Sequence, residues 1–149
     1  MSRLRRRLAG DEGTAMLETA LTLPLLLVVS VGIFEFGRAY QTWQVLTNAA
    51  REGARVAILP NATVSDVQSR VSAYMQSGQL PDYASATISV DQNQTVSIGA
   101  NNASASVVTV AYPFNFIVLN PVAQLVTRGS SLGAALTLTA SAEMRNEAQ

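Results

Sequence analysis

The chain contains no cysteine, no histidine and no lysine, and each absence closes off some chemistry. Without cysteine no disulfide can hold the fold together, and cysteine usage says nothing about redox compartment. Zinc sites built on His or Cys are excluded. Nucleophilic catalysis through Ser-His-Asp or Cys-His arrangements is excluded with them. Charge is scarce as well: Asp, Glu, Lys and Arg make up 13% of the 149 residues, about half the usual fraction. The basic residues are all arginine, and Arg3, Arg5, Arg6 and Arg7 crowd the N-terminus. From Val71 to Gln149 the charged residues are Asp82, Asp91, Arg128, Glu143, Arg145 and Glu147. A nucleic-acid binder needs a basic face on its folded part. This tail has none, so no nucleic-acid partner is expected. Asp66, Asp82 and Asp91 are scattered over positions that read as solvated, so no metal site is expected.

What is present is apolar: 48% of the residues are hydrophobic, a balance that leans towards a membrane or secreted protein. Between Glu18 and Glu35 lie sixteen uncharged residues, TALTLPLLLVVSVGIF. As a helix they reach about 24 Å, short of the ~30 Å hydrocarbon core of a bilayer. Counted from Thr14 to Phe34 the segment reaches about 31 Å and spans, but only with Glu18 inside it. A charge in a bilayer costs on the order of 2.5–3.5 kcal/mol even on a lenient scale. Glu18 therefore asks for an explanation. Pro24 removes one helical hydrogen bond, which lipid-embedded helices tolerate. The arginines ahead of the segment favour a cytoplasmic N-terminus.

The organisation expected is a basic leader over 1–13, a transmembrane helix segment over 14–36 and an extracytoplasmic α+β domain over 37–149. The helix is expected to run on to about residue 59, because no proline intervenes before Pro60. Phe36, Tyr40, Trp43, Thr47, Ala50, Ala54 and Ala57 recur at helical spacing and suggest one face. Its later members, with Gly53, are small: Ala50, Gly53, Ala54 and Ala57 are candidate helix-packing residues. Glu35 and Arg38 stand at i,i+3 and can pair. With Tyr40 and Trp43 they are read as an anchor at the outer membrane interface, the aromatics forming a belt.

Further on, Thr63 and Asp66 make a capping-box pattern, Val64, Val67, Val71 and Tyr74 share a face, and Gly78 is a plausible C′ residue. Ala86–Asp91 and Thr95–Ala100 alternate and suggest a hairpin with Gln92, Asn93 and Gln94 as its turn. Ser104–Phe114 reads as a strand that Pro113 ends or places at an edge. Phe116–Val126 is apolar and undecided between strand and helix. Ala134–Met144 reads as a final strand. The fold class is α+β: a long N-terminal helix, membrane-embedded and then amphipathic, packed on a small antiparallel β-sheet.

Two groups of residues carry a family resemblance. Gly13 ends the basic leader, and Glu18 would be the fifth residue of a chain cut between Gly13 and Thr14. That pattern resembles type IV pilin and pseudopilin precursors. Glu18, Pro24, Gly32, Glu35, Phe36, Gly37, Arg38 and the block Asn48–Arg55 (NAAREGAR) then resemble the TadE-like family. These are pseudopilin-like components of tight-adherence (Flp-type) pilus assembly, and the ending AEMRNE is weakly similar to the same family.

The resemblance implies a pilin-like architecture, a processing site at Gly13 and Thr14, and an assembly role for Glu18. The Glu18 carboxylate would meet the positive N-terminal amine of an adjacent subunit. The implied partners are a prepilin peptidase, the inner-membrane assembly platform, pilin-like proteins and the lipid bilayer. No small-molecule substrate, cofactor or enzymatic activity is implied. The implied location is the inner membrane, single pass, with the C-terminal domain extracytoplasmic. Other readings remain at this stage. Glu18 could be an interfacial charge on an unprocessed, membrane-anchored envelope protein. Alternatively, residues 1–32 could be a cleaved signal peptide, with Ser30-Val31-Gly32 as the small-residue site, releasing a secreted binding domain.

Overall fold

The structure, a computed structural model, describes residues 11–98, 101–121, 131 and 133–146. The arginines of the expected leader lie outside these residues, as do positions 122–126 of the undecided apolar run. Helix α1, Asp11–Ala57, is a continuous element of 47 residues, about 70 Å long. The expected processing site, Gly13 and Thr14, lies within this helix. Pro24 sits within the helix without ending it.

The two halves of α1 meet different surroundings. From Met16 to Phe34 the large apolar side chains are exposed, Val31 apart, and the helix from Gly13 to Ala57 holds a stretch long and apolar enough to cross a membrane. Its few hydroxyls turn back on the helix: Thr19 Oγ1 donates to Ala15 O at 2.8 Å, Thr22 Oγ1 to Glu18 O at 2.9 Å and Ser30 Oγ to Leu26 O at 2.8 Å. Such back-bonding leaves no side-chain donor needing water. From Glu35 onwards one face is enclosed, through Leu46, Ala49, Ala50, Gly53, Ala54 and Ala57. The stripe suggested by Phe36, Tyr40 and Trp43 is not the packing face of this half, since all three stay exposed. The packed stripe lies one residue round, through Glu35, Ala39, Leu46 and Ala49, and merges with the expected small residues from Ala50 on.

Helix α2, Val64–Ser77, packs beside α1 through Val67, Val71 and Met75. Its start is the capping box read from sequence. Asp66 N donates to Thr63 Oγ1 at 3.2 Å, and Thr63 N donates to Asp66 Oδ2 at 2.9 Å. Thr63 Oγ1 also donates to Asp66 Oδ2 at 2.7 Å, and the bonds that the carboxylate accepts from this hydroxyl and from Thr63 N hold it below its ordinary value. Its end differs from expectation. Gly78 has ordinary helical-side geometry, and the left-handed residue is Gln79 at φ 55°. Gln79 N donates to Gln76 O and Leu80 N to Met75 O, a Schellman closure. Glycine is needed at 78 for room, because a Cβ there would lie 2.6 Å from Val45 Cγ1.

A single helical turn, Tyr83–Ser85, leads into a three-stranded antiparallel sheet of order β1-β2-β3: β1 is Thr87–Ile98, β2 is Asn101–Phe114 and β3 is Leu136–Arg145. The expected turn at Gln92–Gln94 is instead a bulge within β1, and pairing resumes as Gln94↔Ala105. A contact distant in sequence accompanies the bulge: the Gln92 side chain donates to Ala62 O at 3.0 Å and to Ala57 O at 3.4 Å. A carbonyl left open at the end of α1 thus gains a partner. Pro113 lies in the central strand, but beyond Ala111, where β1 pairing stops. It faces only β3, as a residue without an N–H requires.

Both helices lie on one face of the sheet. Val108, Val110, Tyr112, Phe114 and Ala140 point into this layer. Burying a side chain the size of Val or Leu contributes roughly 1.5–3 kcal/mol. The opposite face is small and polar, with Thr109 and Ser141 hydroxyls 3.0 Å apart across the strands. At Gly53 the layers come closest: a Cβ there would sit 2.5 Å from Val71 Cγ2 and 3.1 Å from Val108 Cγ1.

Candidate functional site

The point where α1 leaves the folded head is built around Glu35. Its carboxylate is fully enclosed, with no exposed side-chain surface. One oxygen, Oε2, receives Arg38 Nη1 at 2.7 Å. The other, Oε1, accepts the backbone N–H of Val118 at 2.5 Å. The amides of Ile117 and Leu119 also face it. Residues 119–121 begin a helical turn, so the carboxylate occupies the anion-favouring N-terminal side of that turn. Arg38 lies 5.0 Å over the Phe114 ring, within cation–π range. Phe114 and Phe116 meet edge to face at 5.2 Å, and Phe116 meets Phe36 at 6.3 Å. The return of the chain is closed by Gly133 at φ 71°. A Cβ there would lie 2.6 Å from Asn120 N.

Glu35 and Arg38, paired by their spacing, are thus side chains of α1 that grip the segment after β2. That half of the arrangement was beyond sequence reasoning. The Phe114–Phe116 alternation past Pro113 was the available signal, but Phe116–Val126 had no assigned element. Tyr40 and Trp43 sit one and two turns further along, exposed, with rings 6.3 Å apart. Gln44 Nε2 donates to Tyr40 Oη at 2.7 Å. On the face of α1 that carries Arg38, Gln41 and Val45, an open cleft of about 900 Å³ runs between α1, the Gly78–Ser85 connection and the end of β2. Tyr112 Oη donates to Pro81 O across its floor. Burial, and secondarily the Asp82 carboxylate, push the Tyr112 phenol up.

Glu18 lies far from this cluster, exposed in the apolar half, and forms no ion pair among the described residues. Gly32 and Gly37 have nothing within 4 Å of a Cβ. Ala50, Gly53, Ala54 and Ala57 are enclosed within the head. The three aspartates have local duties or open positions. Asp66 caps α2, Asp91 Oδ1 accepts from Asn93 N, and Asp82 is an exposed left-handed residue. No group of three acidic residues gathers as a metal site among the described residues.

A second polar cluster lies at the far end of the head. Ser106, fully buried, donates to Asn146 Oδ1 at 2.7 Å. Asn146 Nδ2 donates to Gln92 O at 2.7 Å and to Ser104 Oγ at 2.9 Å. Sequence reasoning singled out none of Gln92, Ser106 and Asn146 for this; the one pointer was the ending AEMRNE, which contains Asn146.

No curated protein and no solved structure matches the chain. Residues 13–55 of the long helix, from Gly13 through Glu18, Glu35 and Arg38 to Arg55, match the model of the TadE-like protein family, the one these residues resemble.

Proposed function

We propose that the chain is a membrane-anchored pseudopilin, a minor structural component of tight-adherence pilus assembly. The single observation that carries this reading is the TadE-like match over residues 13–55 on a helix whose large apolar side chains, from Met16 to Phe34, are nearly all exposed. The role is structural, not enzymatic. Residues 14–36 anchor the chain in the inner membrane, and the head lies outside. A prepilin peptidase cuts between Gly13 and Thr14. The new amine on one subunit then meets Glu18 of the next, so that two charges in a poor solvent neutralise each other. Removing one partner of such a pair is strongly destabilising. Open space at Gly32 and Gly37 supports close approach by a neighbouring helix, because the head itself has no use for their small size.

The test is the N-terminal sequence and intact mass of the chain from its own membranes. A start at Thr14 is expected. A start at Met1 or Ser2 would leave an unprocessed envelope anchor, and a start near Ile33 a secreted domain. Glu18→Ala is expected to leave the head folded and abolish incorporation into the assembly, read by co-purification with pilin-like subunits. Normal incorporation would reduce Glu18 to an interfacial charge.

A further inference from the structure

The turn after β2 presents apolar side chains at the level where the exposed half of α1 ends. Ile117 is 60% exposed, and Phe36, which touches Phe116, is 65% exposed. Ile33 and Phe34 are exposed on the adjoining turn of α1. A span beginning at Thr14 exhausts a ~30 Å hydrocarbon core at about Phe34. Val118 is hydrogen-bonded to Glu35, one residue further on. Ile117 therefore stands at the edge of the same apolar band.

The enclosure of Glu35 fits such a site. Backbone N–H groups that dip below the headgroups lose water as a partner and need acceptors within the protein. The Glu35 carboxylate accepts from Val118 and faces the amides of Ile117 and Leu119, while Arg38 balances its charge.

We infer that the turn Phe116–Pro121 is a second membrane contact, a lipid-facing foot that seats the head on the bilayer beside its own anchor. The occupant of this surface is the lipid bilayer, by continuity with the apolar band of α1. The inference rests on the anchoring reading of residues 14–36. Glu35 is then a positioning residue that seals the backbone of the foot, and Ile117 is the side chain that enters the lipid.

The native sequence has no cysteine, so single cysteines report without background. Ile117→Cys, Leu26→Cys and Leu59→Cys, all at exposed positions, are labelled with an environment-sensitive fluorophore in the full chain. Each is reconstituted in phosphatidylethanolamine–phosphatidylglycerol vesicles. Leu59 lies past the end of α1, which itself reaches about 33 Å beyond Glu35 along the helix axis. Leu26 is expected to be quenched by lipids spin-labelled deep in their chains, and Leu59 by aqueous iodide alone. Ile117 is expected to be quenched severalfold by lipids spin-labelled near the headgroup and little by iodide. If Ile117 behaves like Leu59 while Leu26 reports lipid, the foot is overturned and the anchor stands. If Leu26 fails to report lipid, the anchor reading falls and the foot with it.

Discussion

Between Met16 and Phe34, α1 turns leucines and valines outward; between Glu35 and Ala57 it encloses alanines, a leucine and a glycine. One uninterrupted helix thus follows two rules of burial. In the second half small residues are hidden because α2 and the sheet must come close, and Gly53 marks the tightest point. In the first half no described element covers the large side chains, and they supply their own apolar coat. The difference lies in the surroundings each half is built for, not in helix-forming tendency. The change falls at Glu35, where the one enclosed carboxylate of the described helix is gripped by the head.

Substitutions matched across the two halves would break or sharpen that contrast. Leu46 is wholly buried, so Leu46→Ala is expected to cost about 2–5 kcal/mol. Leu26→Ala should leave the unfolding of the head unchanged, both followed by denaturant titration of the full chain in detergent. Equal losses would mean that the outer half is packed after all. Gly53→Ala places a Cβ against Val71 and Val108 and is expected to cost roughly 1–3 kcal/mol. Gly37→Ala meets open space and should leave the melting temperature level or slightly raised. A drop at Gly37 comparable to that at Gly53 would contradict the division.

The smallest effect sits outside α1. Because the Asp66 carboxyl is depressed by the Thr63 hydrogen bonds, its stabilising share is complete above the ordinary aspartate value. That share is lost as pH falls through the lower folded value. Melting temperatures of the native chain and Asp66→Asn should therefore converge in acid. Curves that stay parallel across the carboxylate range would remove the capping carboxylate from the account.

Much of this architecture was legible because its causes are local. Helical spacing, the Thr63–Asp66 box, the alternation of β3 and the smallness of Ala50, Gly53, Ala54 and Ala57 are written in short windows. The misread elements depend on partners far along the chain. The Gln92–Gln94 stretch looks like a turn until Ala57 and Ala62 carbonyls compete for the Gln92 side chain. Gly78 looks like a left-handed cap until Val45 is seen to occupy the space. The Glu35–Arg38 pair was readable at three-residue spacing, but the amides it holds come from 117–119, more than eighty positions away.

The Ser106 cluster sets an order of events for the chain as it matures. Ser106 lies under the end of α1, and its nearest acceptor belongs to Asn146, forty residues later. Until the strand carrying Asn146 arrives, that hydroxyl lacks its closest partner, and a buried polar group without its hydrogen bond is costly. Helix α1 and the β1–β2 hairpin can form from neighbours in sequence, whereas the closure that joins them waits on a distant segment, the kind of contact that forms slowly. Closure of the head over Ser106 therefore depends on a segment forty residues away, while the helix that carries the head is held by its own local bonds.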